Sequence, residues 1–356
     1  MVGLTIEWPE VLARLSRRES LSEGEAAATL GVVLEGGATP AQIGAFLALL
    51  HAKGESIEEV TGLARAMVDA AVPLPLAAGP DVVVDLVGTG GDRLRSINVT
   101  TLAALVVAGC GVPVCKHGNR AASSAVGTAD VLEALGVAIE IGPEGVARCV
   151  AEAGMGFCFA QRFHPAMRFV GPVRKELGVP TIFNFLGPLT NPSRPRHQLV
   201  GVSDPAMAPV MANVFGSMGS RRAMVIFADD GLDELSVTSP STVLEVRGDG
   251  EGAYEISEWR VDPVALGFAP ATMEDLRGGD AGVNARVIRS VLEGEQGARR
   301  DIAVLNAAAG LMVAGRAADL AAGAALAAAA IDGGRALGVL DALVATSQAA
   351  LRRQPG

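Results

Sequence analysis

The sequence predicts an α/β protein with a small N-terminal helical bundle and a larger domain built on a largely parallel central sheet. Three observations support this. Helix-capping signals recur through the first sixty residues, a β-branched apolar run begins at residue 81, and strand-like and helix-like segments alternate after it. Such alternation is typical of a covered sheet with helices packed on it.

The N-terminal bundle is predicted from three capping boxes, S-E-G-E, T-P-A-Q and S-I-E-E, which begin at Ser22, Thr39 and Ser56. In each box the hydroxyl can accept from the backbone N–H three residues on, and the acidic or amide side chain there can reach back. A further helix is expected over 7–18. The helical domain is expected over 1–75, joined by a returning helical segment at about 165–190, and the α/β domain over 78–356.

The larger domain begins with D-V-V-V-D-L-V at 81–87, a continuous apolar run as expected of a buried strand. A helix is predicted from about Thr100, a strand at 112–115 and a helix at about 125–135. Further strands are predicted at 157–160, 199–203 and 222–228. Further helices are predicted at 166–177, 205–218, 284–294, 299–314 and 333–349.

Composition excludes some classes of function. Half of the 356 residues are hydrophobic, aromatics are 4% and the net charge is −10, whereas a general nucleic-acid binder carries a basic surface. The four cysteines lack CxxC spacing and are expected to be reduced, buried thiols. The stretch at 317–331 is expected to be a buried helix rather than a membrane span. With no signal peptide evident, we expect a cytoplasmic protein with neither nucleic acid nor membrane as partner.

A glycine-rich loop, G88-T-G-G-D92, directly follows the first predicted strand. Glycines let the backbone turn sharply and approach a ligand closely, and free N–H groups at a strand end form an anion cradle. Asn98, Thr100 and Thr101 follow at a predicted helix start, which adds donors for phosphate oxygens. The plainer interpretation is a tight turn with a helix cap. The loop fits neither GxxxxGK[ST] nor GxGxxG.

A second loop, K116-H-G-N-R120, is predicted after the next strand. The chain has only three lysines among 29 basic residues, so a lysine beside a glycine suggests a compact ammonium for phosphate, although chance explains it equally well alone. The ends of two parallel strands meet at one edge of a sheet, where α/β proteins bind ligands. Both loops are therefore expected to face one site.

The ordered set of motifs resembles anthranilate phosphoribosyltransferases. GTGGD, N-V-T-T at 98–101 and KHGNR-A-A-S-S at 116–124 are followed by HPAMR at 164–168 and PVRKELG at 172–178. The resemblance continues through TIFNFLGPLTNP (181–192), DGLDELS (230–236) and RDIAVLNAAAGL (300–311) and covers nearly the whole chain. It implies a nucleoside phosphorylase/phosphoribosyltransferase-like fold, a homodimer, and Mg²⁺-dependent transfer from phosphoribosyl pyrophosphate to anthranilate, a step of tryptophan biosynthesis.

The resemblance also implies roles for single residues. Anthranilate would contact Gly88, Asn119 and Arg174, on a path shaped by His164 and Pro165. Of the metal residues, the Thr100 hydroxyl would lie near one Mg²⁺, and Asp233 and Glu234 match the family's second metal site. The implied phosphoribosyl pyrophosphate residues are Gly88, Gly91, Asp92, Ser96, Asn98, Val99, Thr100, Thr101, Lys116, His117, Gly118, Asn119, Arg120, Ala121, Ala122, Ser123, Ser124 and Thr128. No single catalytic acid, base or nucleophile is implied, because an aryl amine is largely unprotonated near neutral pH.

The chain departs from the commonest family pattern at three places. Arg93 stands where glycine is usual, Thr100 where serine is usual, and Phe227–Asp229 replace a run with a histidine. Asp229 is expected to add an acid near Asp233 and to alter metal affinity or loop order more than chemistry. Two alternatives stay open: a pyrimidine nucleoside phosphorylase-like enzyme and a non-catalytic nucleic-acid-binding relative.

Overall fold

A computed structural model of the protein describes residues 6–74, 76, 82–91, 94–121 and 126–354. Its helical part begins with four helices, and all three predicted capping boxes form. In the first box, Ser22 N donates to Glu25 Oε2 over 2.8 Å, and Glu25 N donates to Ser22 Oγ over 3.3 Å. The four helices are α1 (Trp8–Ser16), α2 (Glu23–Leu34), α3 (Pro40–Lys53) and α4 (Ile57–Asp69).

One buried carboxylate ties these helices together. Glu59 is fully buried and accepts hydrogen bonds from Leu21 N at 2.9 Å and Ser56 N at 2.8 Å. It also pairs with Lys53 Nζ at 2.7 Å. The capping glutamate of α4 therefore also fixes the start of α2 and the end of α3, because a buried carboxylate is tolerated only where its oxygens have donors.

The larger part is built on one seven-stranded sheet in the order β3-β2-β1-β4-β5-β6-β7. The four pairings from β3 to β5 are parallel and the last two are antiparallel, which confirms a largely parallel sheet. The strands are β1 (Val84–Gly88), β2 (Val114–Gly118), β3 (Met155–Phe159), β4 (His197–Gly201), β5 (Arg222–Ala228), β6 (Ser241–Gly248) and β7 (Tyr254–Val261).

Eleven further helices are described. They are α5 (Val99–Gly109), α6 (Thr128–Ala134), α7 (Pro143–Ala153), α8 (Ala160–Phe163), α9 (Gly171–Leu177), α10 (Phe183–Leu189), α11 (Ala208–Ser217), α12 (Ala281–Leu292), α13 (Ala298–Val313), α14 (Leu320–Asp332) and α15 (Arg335–Arg353). Helix α5 is buried along its whole length and packs on β1, α13 and α15. Helix α9 packs on α3, and α10 packs on α4.

The apolar helices and the cysteines can be compared with what composition predicted. Searching the described residues finds no single helix that is long and apolar enough to cross a membrane; α14 and α15 pass that test only as a pair bent by 63°. The four cysteines are free thiols, as expected, and three of them are buried.

The strands place alternate residues in two different cores. Leu86, Leu199 and Met224 point to the core shared with α5 and α13. Val87, Val200 and Val225 point to the core that includes the helical domain. Because side chains alternate along a strand, the continuous apolar runs of β1, β4 and β5 follow from burial on both faces.

The packing of α2 on α4 gives a test of the helical domain. A Cβ on Gly62 would overlap the carbonyl oxygen of Glu23, whereas a Cβ on Gly31 would have no atom within 4 Å. We expect Gly62→Ala to lower the free energy of unfolding by about 1–3 kcal/mol, because the added methyl group would force α2 and α4 apart and weaken their packing.

The matched control is Gly31→Ala, which should raise the free energy of unfolding by about 0.5–1 kcal/mol by removing backbone freedom from the unfolded chain. Urea unfolding followed by circular dichroism measures both. Equal effects of the two substitutions would contradict this account of the interface.

Candidate active site

The glycine-rich loop lies where β1 and β4 end side by side. Gly88 of β1 is in register with Gly201 of β4. Thr89 N donates to Gly201 O at 2.9 Å, and Ser203 Oγ donates to Gly90 O at 2.8 Å. Gly90 and Gly91 both have positive φ, of 69° and 90°. The loop is therefore a built turn at the carboxyl edge of the sheet, where parallel α/β proteins bind ligands.

A second loop, which carries Asp233 and Glu234, packs against this edge. Gly90 N donates to Asp233 Oδ2 at 2.7 Å. A Cβ on Gly88 would overlap that same carboxylate oxygen, and a Cβ on Gly201 would overlap the carbonyl oxygen of Asp233. Glycine at both strand ends is therefore required for the close approach of this acidic loop.

Helix α13 positions the acidic loop of Asp233 and Glu234 through two hydrogen bonds. Asn306 Oδ1 accepts from Leu235 N at 2.9 Å, and Asn306 Nδ2 donates to Leu235 O at 2.8 Å. Glu234 Oε1 accepts from Thr100 N at 3.3 Å, so this carboxylate lies at the N-terminus of α5. We expected the N-terminus of α5 to bind phosphate. The carboxylate of Glu234 is also an anion and accepts from a backbone N–H at that helix end.

Thr100, Asp233 and Glu234, to which the resemblance assigns metal binding, are thus neighbours, with the backbone N–H of Thr100 bound to Glu234. Two carboxylates and a hydroxyl form a set of hard oxygen donors, and Mg²⁺ binds through few protein ligands with water and phosphate oxygens completing its shell. Within the described part of the chain, no group of three or more His, Cys, Asp or Glu side chains is arranged for a metal. The donor set therefore fits Mg²⁺ bound together with a phosphorylated substrate better than an all-protein metal site.

The position of Lys116 corrects the sequence prediction. Lys116 was expected in a loop after β2, but β2 runs on through Gly118 and pairs with β3, with Lys116 opposite Phe157. Lys116 is fully buried, and its Nζ donates to Leu86 O and, at 3.3 Å, to Thr100 Oγ1. Burial lowers its pKa, and the negative charges of Asp85, Glu234 and Asp233 oppose that shift.

Asp85 and Asn191 are polar residues of this region that the sequence analysis missed. Asp85, fully buried on β1, accepts from His117 N at 3.2 Å and from Asn191 Nδ2 at 2.8 Å. Asn191 also donates to Cys115 O at 2.8 Å. Burial raises the pKa of Asp85 to about 6, while Lys116 and these hydrogen bonds lower it. An acid inside a continuous apolar run was the available signal.

The remaining residues around the start of α5 have mixed surroundings. Asn98 donates to Val126 O at 3.2 Å and accepts from Asn284 at 2.9 Å, so its amide fixes local structure. The backbone of Ser96 forms an isolated antiparallel β-bridge with that of Arg277. The side chains of Val99 and Thr101 are buried, which leaves Val99 only its backbone for a ligand.

The residues after β2 are only partly described. Gly118 ends β2 beside Thr128 of α6, and Asn119 Oδ1 accepts from Arg120 N at 2.8 Å. Arg120 pairs with Asp130 at 3.1 Å and with Glu133, and Ala121 N donates to Asp130. The predicted residues that lie outside the described part of the chain are Asp92, Ala122, Ser123 and Ser124, and Arg93 lies outside it as well.

A cavity of about 460 Å³ lies beside these strand ends, between the helical domain and the α/β domain. It brings together predicted residues from distant parts of the chain, namely Asn119, His164, Pro165 and Arg174. The rest of its wall includes His117, Phe183, Leu186 and Gly187. Its size and its mixture of apolar walls with few polar groups are typical of small-molecule sites.

Arg174 is one of two arginines that line this cavity, with Arg168. Its guanidinium lies 5.3 Å from the centre of the Phe183 ring, and Nη2 donates to Asn184 Oδ1 at 3.3 Å. Burial lowers the pKa of Arg174, although a guanidinium stays protonated. Among the ion pairs of the described residues, none includes Arg174, so its charge is available for an anionic ligand.

Two buried histidines, His117 and His164, line this cavity. The rings of His117 and His164 lie 5.1 Å apart, and His117 Nδ1 is 3.0 Å from Gly187 O. Burial lowers the pKa of His117 to about 3 and that of His164 to about 4, so both rings are neutral near pH 7. Neither ring is therefore expected to carry positive charge towards a substrate.

Asp229 does not join the acidic loop as an additional free acid. Arg260 of β7 holds its carboxylate, with Nη1 donating to Asp229 Oδ1 at 2.9 Å. This hydrogen bond from Arg260 lowers the pKa of Asp229. Phe227 lies among the hydrophobic residues that pack on the helical-domain side of the sheet.

Comparison with known proteins agrees with this architecture. Residues 80–337 match the model of the glycosyl transferase family, a/b domain, and residues 9–71 match that of the same family's helical bundle domain. The anthranilate phosphoribosyltransferase of Acidothermus cellulolyticus is 52% identical over 356 residues, covering 98% of each chain. This chain belongs to the anthranilate phosphoribosyltransferase family.

Solved structures of family members have the same fold. The anthranilate phosphoribosyltransferase of Thermus thermophilus is 40% identical, covers 95% of this chain and 99% of its own, and superposes with a TM-score of 0.87. The Saccharomyces cerevisiae enzyme, solved in complex with PRPP and Mg, is 24% identical, covers 96% of this chain and 98% of its own, and has a TM-score of 0.85.

The buried histidines of the anthranilate phosphoribosyltransferase fold give a pH test. Because the folded-state pKa of His164 lies below its ordinary value of 6.5, the unfolded chain binds more protons between pH 6.5 and about 4. The contribution of neutral His164 to the free energy of unfolding is therefore fully present above pH 6.5 and decreases as pH falls from 6.5 to about 4. We expect His164→Gln to remove roughly 2 kcal/mol of this loss between pH 7 and 4.5.

Urea unfolding at several pH values measures the effect. Between pH 7 and 8 the free energies of unfolding of wild type and variant should run parallel, which serves as the internal control. Parallel curves down to pH 4.5 would show that His164 does not titrate with a lowered pKa.

Proposed function

We propose that the protein transfers the phosphoribosyl group of phosphoribosyl pyrophosphate to the amine of anthranilate. The products are N-(5-phosphoribosyl)anthranilate and pyrophosphate, and the reaction is the second step of tryptophan biosynthesis from chorismate. One observation supports this most directly: the cavity that contains the guanidinium of Arg174, outside any ion pair of the described residues, lies at the same edge of the sheet as the glycine-rich loop, against which the loop of Asp233 and Glu234 packs. Such a pair of sites suits an aromatic carboxylate beside a metal-bound diphosphate.

Phosphoribosyl pyrophosphate would bind at the carboxyl edge of the sheet. The backbone of Gly88 and Gly91, and Asp92 beside them, would cradle phosphate, with Ser96, Asn98, Val99, Thr100 and Thr101 at the start of α5 and Thr128 of α6. Lys116 would act from beneath through Thr100 and through its charge. The residues that follow it in the proposed site are His117, Gly118, Asn119, Arg120, Ala121, Ala122, Ser123 and Ser124.

Anthranilate would lie in the cavity, with its carboxylate on Arg174. A planar guanidinium fits a carboxylate through two parallel hydrogen bonds, and the Phe183 ring beneath Arg174 limits its freedom. Asn119 and Gly88 would contact the ring from the glycine-loop side, where the two substrates meet. His164 and Pro165 would form the wall of the path by which anthranilate enters.

Mg²⁺ would be held by Asp233, Glu234 and the hydroxyl of Thr100. Bound Mg²⁺ supplies positive charge that stabilises a leaving pyrophosphate. The chain's own contribution is to keep both carboxylates in place through Gly88, Gly201 and the Asn306 clamp. A protein of net charge −10 requires such local positive charge to hold an anionic substrate.

The chemistry is displacement at the anomeric carbon of the ribose. The amine of anthranilate attacks, and pyrophosphate leaves. The aryl amine is unprotonated near neutral pH and needs no base before it attacks. The lowered pKa of the two neighbouring histidines makes their rings weak proton acceptors, so no side chain is assigned as general acid or base. Catalysis would arise from holding the two substrates at the meeting point of cavity and loop and from stabilising the charge of the leaving group.

The proposed organisation of the molecule follows the same logic. We take 1–75 with the returning segment at about 165–190 as one domain and 78–356 as the other, so that the substrates meet between them. We also propose a cytoplasmic homodimer that binds neither nucleic acid nor membrane. Sedimentation velocity tests the dimer, and a single species of monomer mass would contradict it.

Steady-state consumption of anthranilate, followed by its fluorescence, tests the anthranilate site. Arg174→Ala should raise the KM for anthranilate by about 10–100-fold, since loss of a charged hydrogen-bonding pair costs about 1.5–3 kcal/mol, and should leave the KM for phosphoribosyl pyrophosphate near its wild-type value. Lys175→Ala, the exposed neighbour on α9, is the control and should behave as wild type. Equal KM values for Arg174→Ala and wild type would contradict the assignment.

The metal site is tested by titrating activity with Mg²⁺. Asp233→Asn should shift the half-saturating Mg²⁺ concentration upward by at least about tenfold, because a neutral amide replaces a charged ligand. Asp229→Asn is the matched control, since Arg260 already neutralises that carboxylate, and its titration should overlay wild type. A larger shift for Asp229→Asn than for Asp233→Asn would overturn the proposed ligand set.

A further inference from the structure

A second cavity, of about 370 Å³, lies on the opposite edge of the sheet from the active site. The active-site loops follow the carboxyl ends of the strands, whereas this cavity lies beside the residues that precede β4 and β5. It opens between the end of α4, in the helical domain, and α11 of the α/β domain. Its wall consists of Arg65, Val68, Asp69, Pro188, Leu189, Asn191, Arg194, Pro195, Arg196, Gln198, Phe215, Met218 and Ser220.

Two positive charges lie together beside this cavity, one in its wall and one next to it. Arg196 lines it, and Arg221, which lies between the wall residue Ser220 and the start of β5, donates its backbone N–H to Arg196 O at 2.8 Å. A Cβ on Gly250, between β6 and β7, would lie 2.8 Å from Arg196 Nη1 and 3.2 Å from Arg221 Nε, so the two guanidinium groups lie close together beside Gly250. The ion pairs found among the described residues include neither arginine. In a chain of net charge −10 this is a local positive site.

The other two arginines of the cavity are fixed and bridge the two domains. Arg65 of α4 pairs with Glu23 at 3.0 Å and donates to Ser217 O at the end of α11 at 3.0 Å. Arg194 pairs with Asp69 at the end of α4 at 2.9 Å. Their charges are largely matched, so the excess positive charge is that of Arg196 in the wall and of Arg221 beside it. The charge of these arginines also contributes, after burial, to a lowered pKa of the adjacent His197.

We propose that this cavity is a second ligand site, which binds a small phosphate monoester with an apolar body. A phosphate monoester carries a charge of about −1.5 to −2 at pH 7, which matches two free guanidinium groups. The apolar wall formed by Val68, Leu189, Phe215 and Met218 would cover the organic part. A carboxylate offers the same hydrogen-bonding geometry but only one negative charge.

The cavity shares its wall with the active site. Helix α10 and the residues after it supply Pro188, Leu189 and Asn191 to this cavity, and Phe183, Gly187 and Thr190 to the anthranilate cavity. Asn191 also binds Asp85 beneath the phosphate loops. An occupant of the second cavity therefore contacts the backbone segment that positions His117 through Gly187 O.

Isothermal titration of the full chain with phenyl phosphate, at low salt and without substrates, tests the proposal. The wild type should show binding that Arg196→Ala/Arg221→Ala weakens by at least about tenfold, as expected for loss of charge-assisted hydrogen bonds. Asn98→Ala/Arg174→Ala, altered only in the active site, should keep this binding. Arg352→Ala/Arg353→Ala at the end of α15 has the same change in net charge and should titrate as wild type. All four of the arginines in these two charge-matched variants are exposed, so circular dichroism should show folded proteins.

Two further ligands identify the chemistry. Inorganic phosphate should bind at the same site more weakly than phenyl phosphate, and benzoate more weakly still. Identical isotherms for wild type and Arg196→Ala/Arg221→Ala would overturn the site, as would binding lost only in Asn98→Ala/Arg174→Ala. Tighter binding of benzoate than of phenyl phosphate would overturn the assignment of a dianion.

Discussion

The site depends on one close approach, that of the Asp233–Glu234 loop to the ends of β1 and β4. A side chain at Gly88 or Gly201 would occupy the space of Asp233. Through this contact the carboxylates reach the glycine loop and the start of α5, where Gly90 N and Thr100 N bind them. Glycine at the two strand ends therefore has two effects on the active site. It leaves space for the acidic loop, and it lets the backbone turn sharply.

The approach concentrates negative charge where anionic substrates are to bind, and the fold offsets it locally. Lys116 lies buried under Thr100, near Asp85 and the acidic loop, so the carboxylates have a cation beneath them before any metal is bound. The histidines that line the cavity are neutral, and Arg174 gives the cavity positive charge. Positive charge is thus supplied at separate positions for each part of the two substrates, which suits electrostatic positioning rather than proton transfer.

Much of this arrangement could be predicted from the sequence because its signals are local. Capping boxes, the β-branched run and the glycine loop each specify structure within a few residues. The capping boxes form, β1 lies within the predicted run and ends one residue later, at Gly88, and the described part of the loop turns at Gly90 and Gly91. The position of Lys116 could not be predicted, since a lysine beside glycine is typical of a loop and only pairing with β3 buries it. Asp85 and Asn191 form their hydrogen bond although they are 106 residues apart in the sequence. Strand β7 is polar because it forms the edge of the sheet. Such features arise from tertiary packing, which no local pattern encodes.

The central claim is that the cavity and the glycine loop act on two substrates in one displacement. The most direct test is to quantify N-(5-phosphoribosyl)anthranilate and pyrophosphate in the same reaction, with each substrate and Mg²⁺ omitted in turn. The account predicts equal amounts of both products, formed only when anthranilate, phosphoribosyl pyrophosphate and Mg²⁺ are all present. Release of pyrophosphate without anthranilate, or no product with all three present, would contradict it.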